Sequence, residues 1–175
     1  MNVDTITNEL LDSSMPAIRY KVRVNVLGED PASQAISKLQ AEVKQSPLVG
    51  ALLQGVDATG RIAQPKSLYA KWQGAHWVLP ILADIGYPPG DASLATIRDQ
   101  LQENWLAENF YSEFEAASKA AAYRGRGVPV MEGRHRRCAS QQSNTLWSIL
   151  RLQLTNKQTH DFVERLLHWQ WPDGG

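Results

Sequence analysis

Apolar residues recur along most of this chain at the three- and four-residue steps of an amphipathic helix. Leu94, Ile97, Leu101 and Trp105 form one stripe, behind a Gly90-Asp91 start at which Asp91 or Ser93 can cap. Ile36, Leu39 and Val43 form a second after Pro31, and Leu48, Val49, Leu52 and Leu53 a short third after Pro47. Leu146, Ile149, Leu150 and Leu154 make a fourth. Phe162, Val163, Leu166 and Leu167 make the last, with Asn156 or Thr159 as its cap. Segment 67–86 reads as a helix bent at Pro80.

One stretch carries the other period. Tyr20, Val22, Val24 and Val26 alternate with Lys21, Arg23 and Asn25, as in a half-buried strand. No second alternating run exists to pair with it, and Ser13-Ser14 before Pro16 is a helix start, so helix is expected. Loops are expected at 54–66, 86–92 and 123–136, the last Gly- and Arg-rich and mobile. Segments 71–86 and 140–155 can be laid over each other, with Gln73 on Gln142, Trp77 on Leu146, Ile81 on Leu150 and Ile85 on Leu154. Each leads through a turn into a second amphipathic helix with a tryptophan near its end, Trp105 or Trp169. This is the pattern of stacked helical hairpins.

Composition narrows the class. The chain has 175 residues, 43% of them hydrophobic, enough for one sizeable core. Lys+Arg and Asp+Glu balance at 18 each, so no global field draws in nucleic acid or anionic membrane. A lone cysteine, Cys138, excludes an intramolecular disulfide and fits a reducing cytoplasm. The N-terminus lacks the charged and apolar regions of a secretion signal. The longest apolar run, Trp77 to Ala83, contains Pro80 and falls far short of the about 20 residues a bilayer span needs.

The segment Leu166-Leu167-His168-Trp169-Gln170-Trp171-Pro172-Asp173-Gly174-Gly175 resembles the QW motif of squalene–hopene cyclases. Gln170 and Gly174 fall in register with that motif, whose closing tryptophan would be the next residue. The wider chain resembles bacterial proteins of the squalene cyclase and prenyltransferase repeat type. It does so through Pro16-Ala17-Ile18-Arg19-Tyr20, Lys71-Trp72-Gln73-Gly74-Ala75-His76-Trp77, Ile85-Gly86-Tyr87-Pro88-Pro89-Gly90-Asp91 and Arg137-Cys138-Ala139-Ser140-Gln141. The resemblance implies an α/α toroid of helical hairpins and an isoprenoid or other lipid-like ligand. Physically, Gln170 can donate and accept at once, and is expected to brace its helix end against a neighbouring helix while Asp173 and Gly174 form the reversal. The chain then reads as the front part of a longer toroid, with a natural short protein as the alternative.

The family's chemistry does not carry over. The Asp-x-Asp-Asp acid motif of class II cyclases is missing, and the zinc ligands of protein prenyltransferases cannot be matched, so no catalytic residue is assigned and no cofactor or metal is expected. Nor does any P-loop, HExxH or GxSxG occur. Trp72, His76, Trp77, Arg137 and Cys138 are the candidate ligand-binding residues. Trp72, His76 and Trp77 can wall an apolar pocket, although inter-helix core is the commoner use of such a cluster. Cys138 beside Arg137 has the setting for a lowered thiol pKa, although a buried structural cysteine is more usual.

Arg124, Arg126, Arg134, Arg136 and Arg137, with His135, suit phosphate or RNA contact. The seven acids Asp84, Asp91, Asp99, Glu103, Glu108, Glu113 and Glu115 offer this stretch intramolecular partners, and such pairing or ordinary solvation is the commoner outcome. His160, Glu164 and His168 share a helix face, but the outer pair lie about 12 Å apart at 1.5 Å per residue, which favours solvated pairing over a shared metal.

The expectation is therefore one all-α domain over 1–175, of antiparallel helical hairpins in an incomplete α/α toroid. Its leading function is squalene cyclase/prenyltransferase-like isoprenoid or lipid binding. A non-catalytic helical-repeat interaction module is the alternative, and self-association through an open C-terminal end a further one.

Overall fold

The computed structural model describes residues 2–63, 74–137 and 139–174. Helix α1 (Val3–Leu11) leads to α2 (Pro16–Lys21), which starts with Pro16 at its first position, where no amide donor is needed. The alternating valines do not extend. They form a π-helical turn, Val22–Val26, that continues α2, and Leu27 N–H donates across it to the Val22 carbonyl at 2.9 Å. Tyr20 and Val22 are buried while Val26 is exposed, so the segment is anchored by its first turns.

Helix α3 (Gln34–Lys44) starts at Ser33, whose hydroxyl accepts the Ile36 amide, and it buries Ile36, Leu39 and Val43. Ser46 caps α4 (Pro47–Leu53) in the same way. Helix α5 (Ala75–Asp84) continues through Pro80, which interrupts its hydrogen-bond ladder. Residues 67–73 of the expected 67–86 helix lie outside the described residues, while Gly74 is the extended N-cap of α5 and Ile85 its C-cap. A 3₁₀ turn at Ala92–Leu94, capped by Asp91, enters α6 (Ala95–Trp105), followed by the short α7 (Glu108–Tyr111).

Strand β1 (Glu113–Glu115), helix α8 (Lys119–Arg124) and strands β2 (Val128–Met131) and β3 (Arg134–His135) come next. Helices α9 (Ser140–Arg151) and α10 (Lys157–Trp169) complete the described fold.

The hairpins α5–α6 and α9–α10 pack on each other, and α2 and α3 pack together beside them. Leu79, Leu82, Ile97, Leu101, Ile149 and Phe162 are fully buried in their shared core. The two hairpin turns are tied by Gly90 N–H donating to the Leu152 carbonyl at 2.8 Å. Gln102, fully buried, donates to Asn156 Oδ1 at 2.9 Å and accepts from Asn156 Nδ2 at 2.8 Å. Asn156 in turn caps α10 in a reciprocal box with Thr159. Trp105 Nε1 donates to Thr145 Oγ1 at 3.1 Å, a further polar contact that spans both hairpins.

The expectation of a purely all-α chain is overturned by the three-stranded sheet, of order β1-β2-β3, and the helix packing shows no toroid. β1 pairs parallel with β2, Glu113 opposite Val128 and Glu115 opposite Val130. β2 pairs antiparallel with β3, Val130 opposite His135. Much of this sheet comes from 123–136, expected to be a mobile loop. The cause of the difference is length: strands of two to four residues cannot show a readable alternation. Two special backbone sites make the sheet. Glu132 and Gly133 both have positive φ (54° and 70°), the conformation of a two-residue type I′ hairpin turn. Gly127 has φ +100°, and a Cβ there would lie 2.0 Å from the Ser112 carbonyl oxygen, so only glycine lets β2 start against β1.

Candidate functional site

The sheet and α8 face the ends of α9 and α10 across an open cleft of about 1300 Å³. Its apolar wall is helical: Leu146 from α9, with Val163, Leu166 and Trp169 from α10. The opposite side is Pro129 and Met131 of β2, with Gly125 and Gly127 keeping the approach to the sheet low. Lys119, His135, Arg136 and Arg137 supply the basic part of the lining, with Ser143 and Gln170 also polar, and no carboxylate is among the described lining residues. Trp169 is buried, and its Nε1 has no hydrogen-bond partner among the described residues.

Trp171 closes one end of the cleft. Its indole Nε1 donates to the His135 carbonyl at 2.8 Å, while the guanidinium groups of Arg134 and Arg136 lie 4.9 and 4.8 Å from its ring centre. Stacking occupies the planar face of a guanidinium and leaves its N–H edge for an anion. Arg134 and Arg136 make no ion pair among the described residues. Arg137 sits over the Phe110 ring at 5.6 Å and donates to the Gly127 carbonyl at 2.9 Å.

The acids expected to balance these arginines go elsewhere. Asp84 pairs with Lys21, Asp91 with Lys44, and Glu103 with Arg61. Glu113 turns toward the arginine-rich strand and meets histidines. His168 Nε2 donates to Glu113 Oε1 at 2.7 Å, and His135 Nε2 lies 3.2 Å from the same oxygen. Partial burial works against the Glu113 charge, but the two histidine contacts outweigh it and hold this carboxyl below its ordinary pKa.

The sequence candidates are dispersed by the fold. Arg137 lines the cleft. His76 is buried in α5, edge-on to Trp77 and Trp105 at 5.1 and 5.6 Å, and burial depresses its pKa. Neither His76 nor Trp77 is a cleft residue. Trp72 and Cys138 lie outside the described residues, as does Gln73. Gln142, its counterpart in the repeat, is buried, and neither amide atom has a hydrogen-bond partner among the described residues. His160 meets Glu164 at 3.9 Å with both side chains mostly exposed, while His168 turns away to Glu113.

Gln170 does not brace a neighbouring helix. It is exposed and donates to its own Gly174 carbonyl at 3.3 Å, inside a reversal in which Gly174 takes φ +88°. The expected brace is made instead by Trp171. Sequence reasoning placed Glu113 and His135 in two stretches expected to pair, and missed Lys119, Trp171 and the approach of His168 to Glu113. The one available signal was Met131-Glu132-Gly133-Arg134, a two-residue glycine turn behind Val128-Pro129-Val130.

Among the described residues, no helix is long and apolar enough to cross a membrane. Compared with known protein families, curated proteins and solved structures, the chain finds no match. The resemblance to squalene cyclases and prenyltransferases rests on the quoted residues alone.

Proposed function

We propose that this chain binds an amphiphile with an apolar tail and an anionic head, of the isoprenoid diphosphate class, in the cleft between the sheet and α10. The carrying observation is a lining that combines a half-buried aliphatic and indole wall with three cationic side chains and, among the described residues, no carboxylate. An apolar tail gains about 0.8 kcal/mol for each methylene withdrawn from water. A diphosphate gains charge-assisted hydrogen bonds from the guanidinium edge of Arg136, which makes no ion pair among the described residues. Neither half of the ligand explains the cleft by itself. The buried Trp169 Nε1 adds a donor in the same wall. This reading agrees with the cyclase and prenyltransferase resemblance in ligand class, and assigns no catalysis.

Calorimetric titration of the full chain with farnesyl diphosphate, farnesol and inorganic diphosphate tests it. Farnesyl diphosphate is expected to bind at least about tenfold more tightly than either half-ligand, a margin of about 1.4 kcal/mol. Arg136→Ala should remove most of that margin, and added salt should narrow it. Equal affinity for farnesol and farnesyl diphosphate, or no binding of either, contradicts the proposal.

A second reading, a protein-interaction module that self-associates, is favoured by Trp147 and Leu150, exposed one turn apart on α9. It predicts no amphiphile binding in the same titration.

A further inference from the structure

We propose that Glu113, His135 and His168 form a binding site for a divalent transition-metal ion of the zinc class. It goes beyond the amphiphile reading and does not depend on it. The three residues come from β1, β3 and the last turn of α10, and the fold brings one ligand-capable atom from each to within 4.8 Å of the others. Two imidazoles and a carboxylate are a donor set for borderline ions such as zinc, cobalt and nickel, and a poor one for calcium or magnesium.

The spacing fits. Metal–ligand bonds of about 2.0–2.1 Å at tetrahedral angles put donor atoms roughly 3.3 Å apart. His135 Nε2 is already 3.2 Å from Glu113 Oε1, and the two imidazole centroids are 4.9 Å apart with the rings tilted at 56°. His168 Nε2, at 2.7 Å, must retreat by about half an ångström. It lies on an exposed side chain at a helix end, where that movement meets little resistance.

Both imidazoles turn the same nitrogen toward one carboxylate oxygen. In that arrangement a cation can replace the shared protons without repositioning the backbone. The backbone is held independently, His135 by strand pairing and by the Trp171 indole, and Glu113 by its register with Val128.

Three protein ligands leave a fourth position for water or an anion. Solvent reaches it, since the side chains of Glu113 and His168 are 34% and 55% exposed. His135 is also a cleft residue, so the ion would stand at the cleft's edge. Loading it would fasten the small sheet to α10, two parts far apart in the chain.

The test is competition for Zn²⁺ between the chelator-treated full chain and a chromophoric indicator, with no amphiphile present, followed by Co²⁺ absorption. One equivalent is expected to bind with a Kd of about a micromolar or tighter, with the visible bands of four-coordinate cobalt and a raised Tm. His168→Ala and Glu113→Gln should each weaken binding by at least about a hundredfold. His160→Ala, about two turns earlier on α10 and paired with Glu164, should change nothing. Circular dichroism on each variant checks that it folds. Where one does not, His135→Ala replaces it, and that change should also abolish the cobalt bands. The proposal is overturned by no stoichiometric binding below about 0.1 mM, or by binding lost in His160→Ala and kept in the other variants. Because only metal is titrated, failure here leaves the amphiphile proposal standing, and failure of the farnesyl diphosphate titration leaves this one.

Discussion

Gly127 shows how a single residue sets the geometry of the cleft. Its φ of +100° is strained for any L side chain, and a methyl group there would meet the Ser112 carbonyl oxygen at 2.0 Å, a backbone atom that cannot move aside without parting β1 from β2. Gly127→Ala should therefore cost about 1–3 kcal/mol, read as a lowered urea midpoint. Gly28→Ala is the matched control, with φ +69° and open space around the new methyl, and it should cost less. Equal losses in the two variants would mean that the close approach to Ser112 contributes nothing.

Residue type was legible at this position and its reason was not. Glycine in 123–136 reads as looseness in the sequence, whereas here it permits close packing. Trp171 carries the same lesson. Its motif drew attention to Gln170, yet the indole makes the long-range contact, to a strand too short to foresee.

At the scale of elements, helices were readable where a stripe and a cap coincide. Ser33 before Ile36, Leu39 and Val43 gives α3, and Asn156 before Phe162 and Leu166 gives α10. The valine alternation at 20–26 was ambiguous because a π turn changes the helical period locally.

Asp91 ties α3 to the 3₁₀ turn and to the loop that follows α5. It accepts from Tyr87 at 2.6 Å, from the Ser93 amide at 2.9 Å, and pairs with Lys44 of α3 at 2.7 Å. Burial would raise its pKa, but the contacts to Lys44, Tyr87 and Ser93 outweigh it and hold the carboxyl well below its ordinary value. A folded-state pKa below the unfolded one, about 3.9, means that the stabilisation is fully present above that pH. It is lost as pH falls through the folded value. Between pH 5 and strongly acid solution the wild-type chain should lose on the order of 1–2 kcal/mol relative to Asp91→Asn, the figure being reduced for the half-exposed Lys44. Urea midpoints measured in parallel on both chains check this, and superimposable pH profiles would contradict it.

At the scale of the whole molecule, two stacked hairpins form a continuous core, and Val128, Ala116 and Trp169 are buried outside it with the sheet. The hairpin repeat was visible as matching apolar positions in 71–86 and 140–155. The cleft was not, because it needs Lys119, Arg136 and Leu166 to meet across a crossover and a hairpin. The same holds for Glu113 and His168, separated by 55 residues.

Local spacing reports faces of one element, while a site between elements depends on register that short strands do not encode. The central claim is that the cleft between this sheet and α10 takes an anionic amphiphile. Amide hydrogen exchange with and without farnesyl diphosphate tests it most directly. Slowed exchange in β2, β3 and the last turn of α10, with α3 and α4 unchanged, is the predicted result. Unchanged exchange throughout at saturating ligand, or protection confined to α3 and α4, would contradict it.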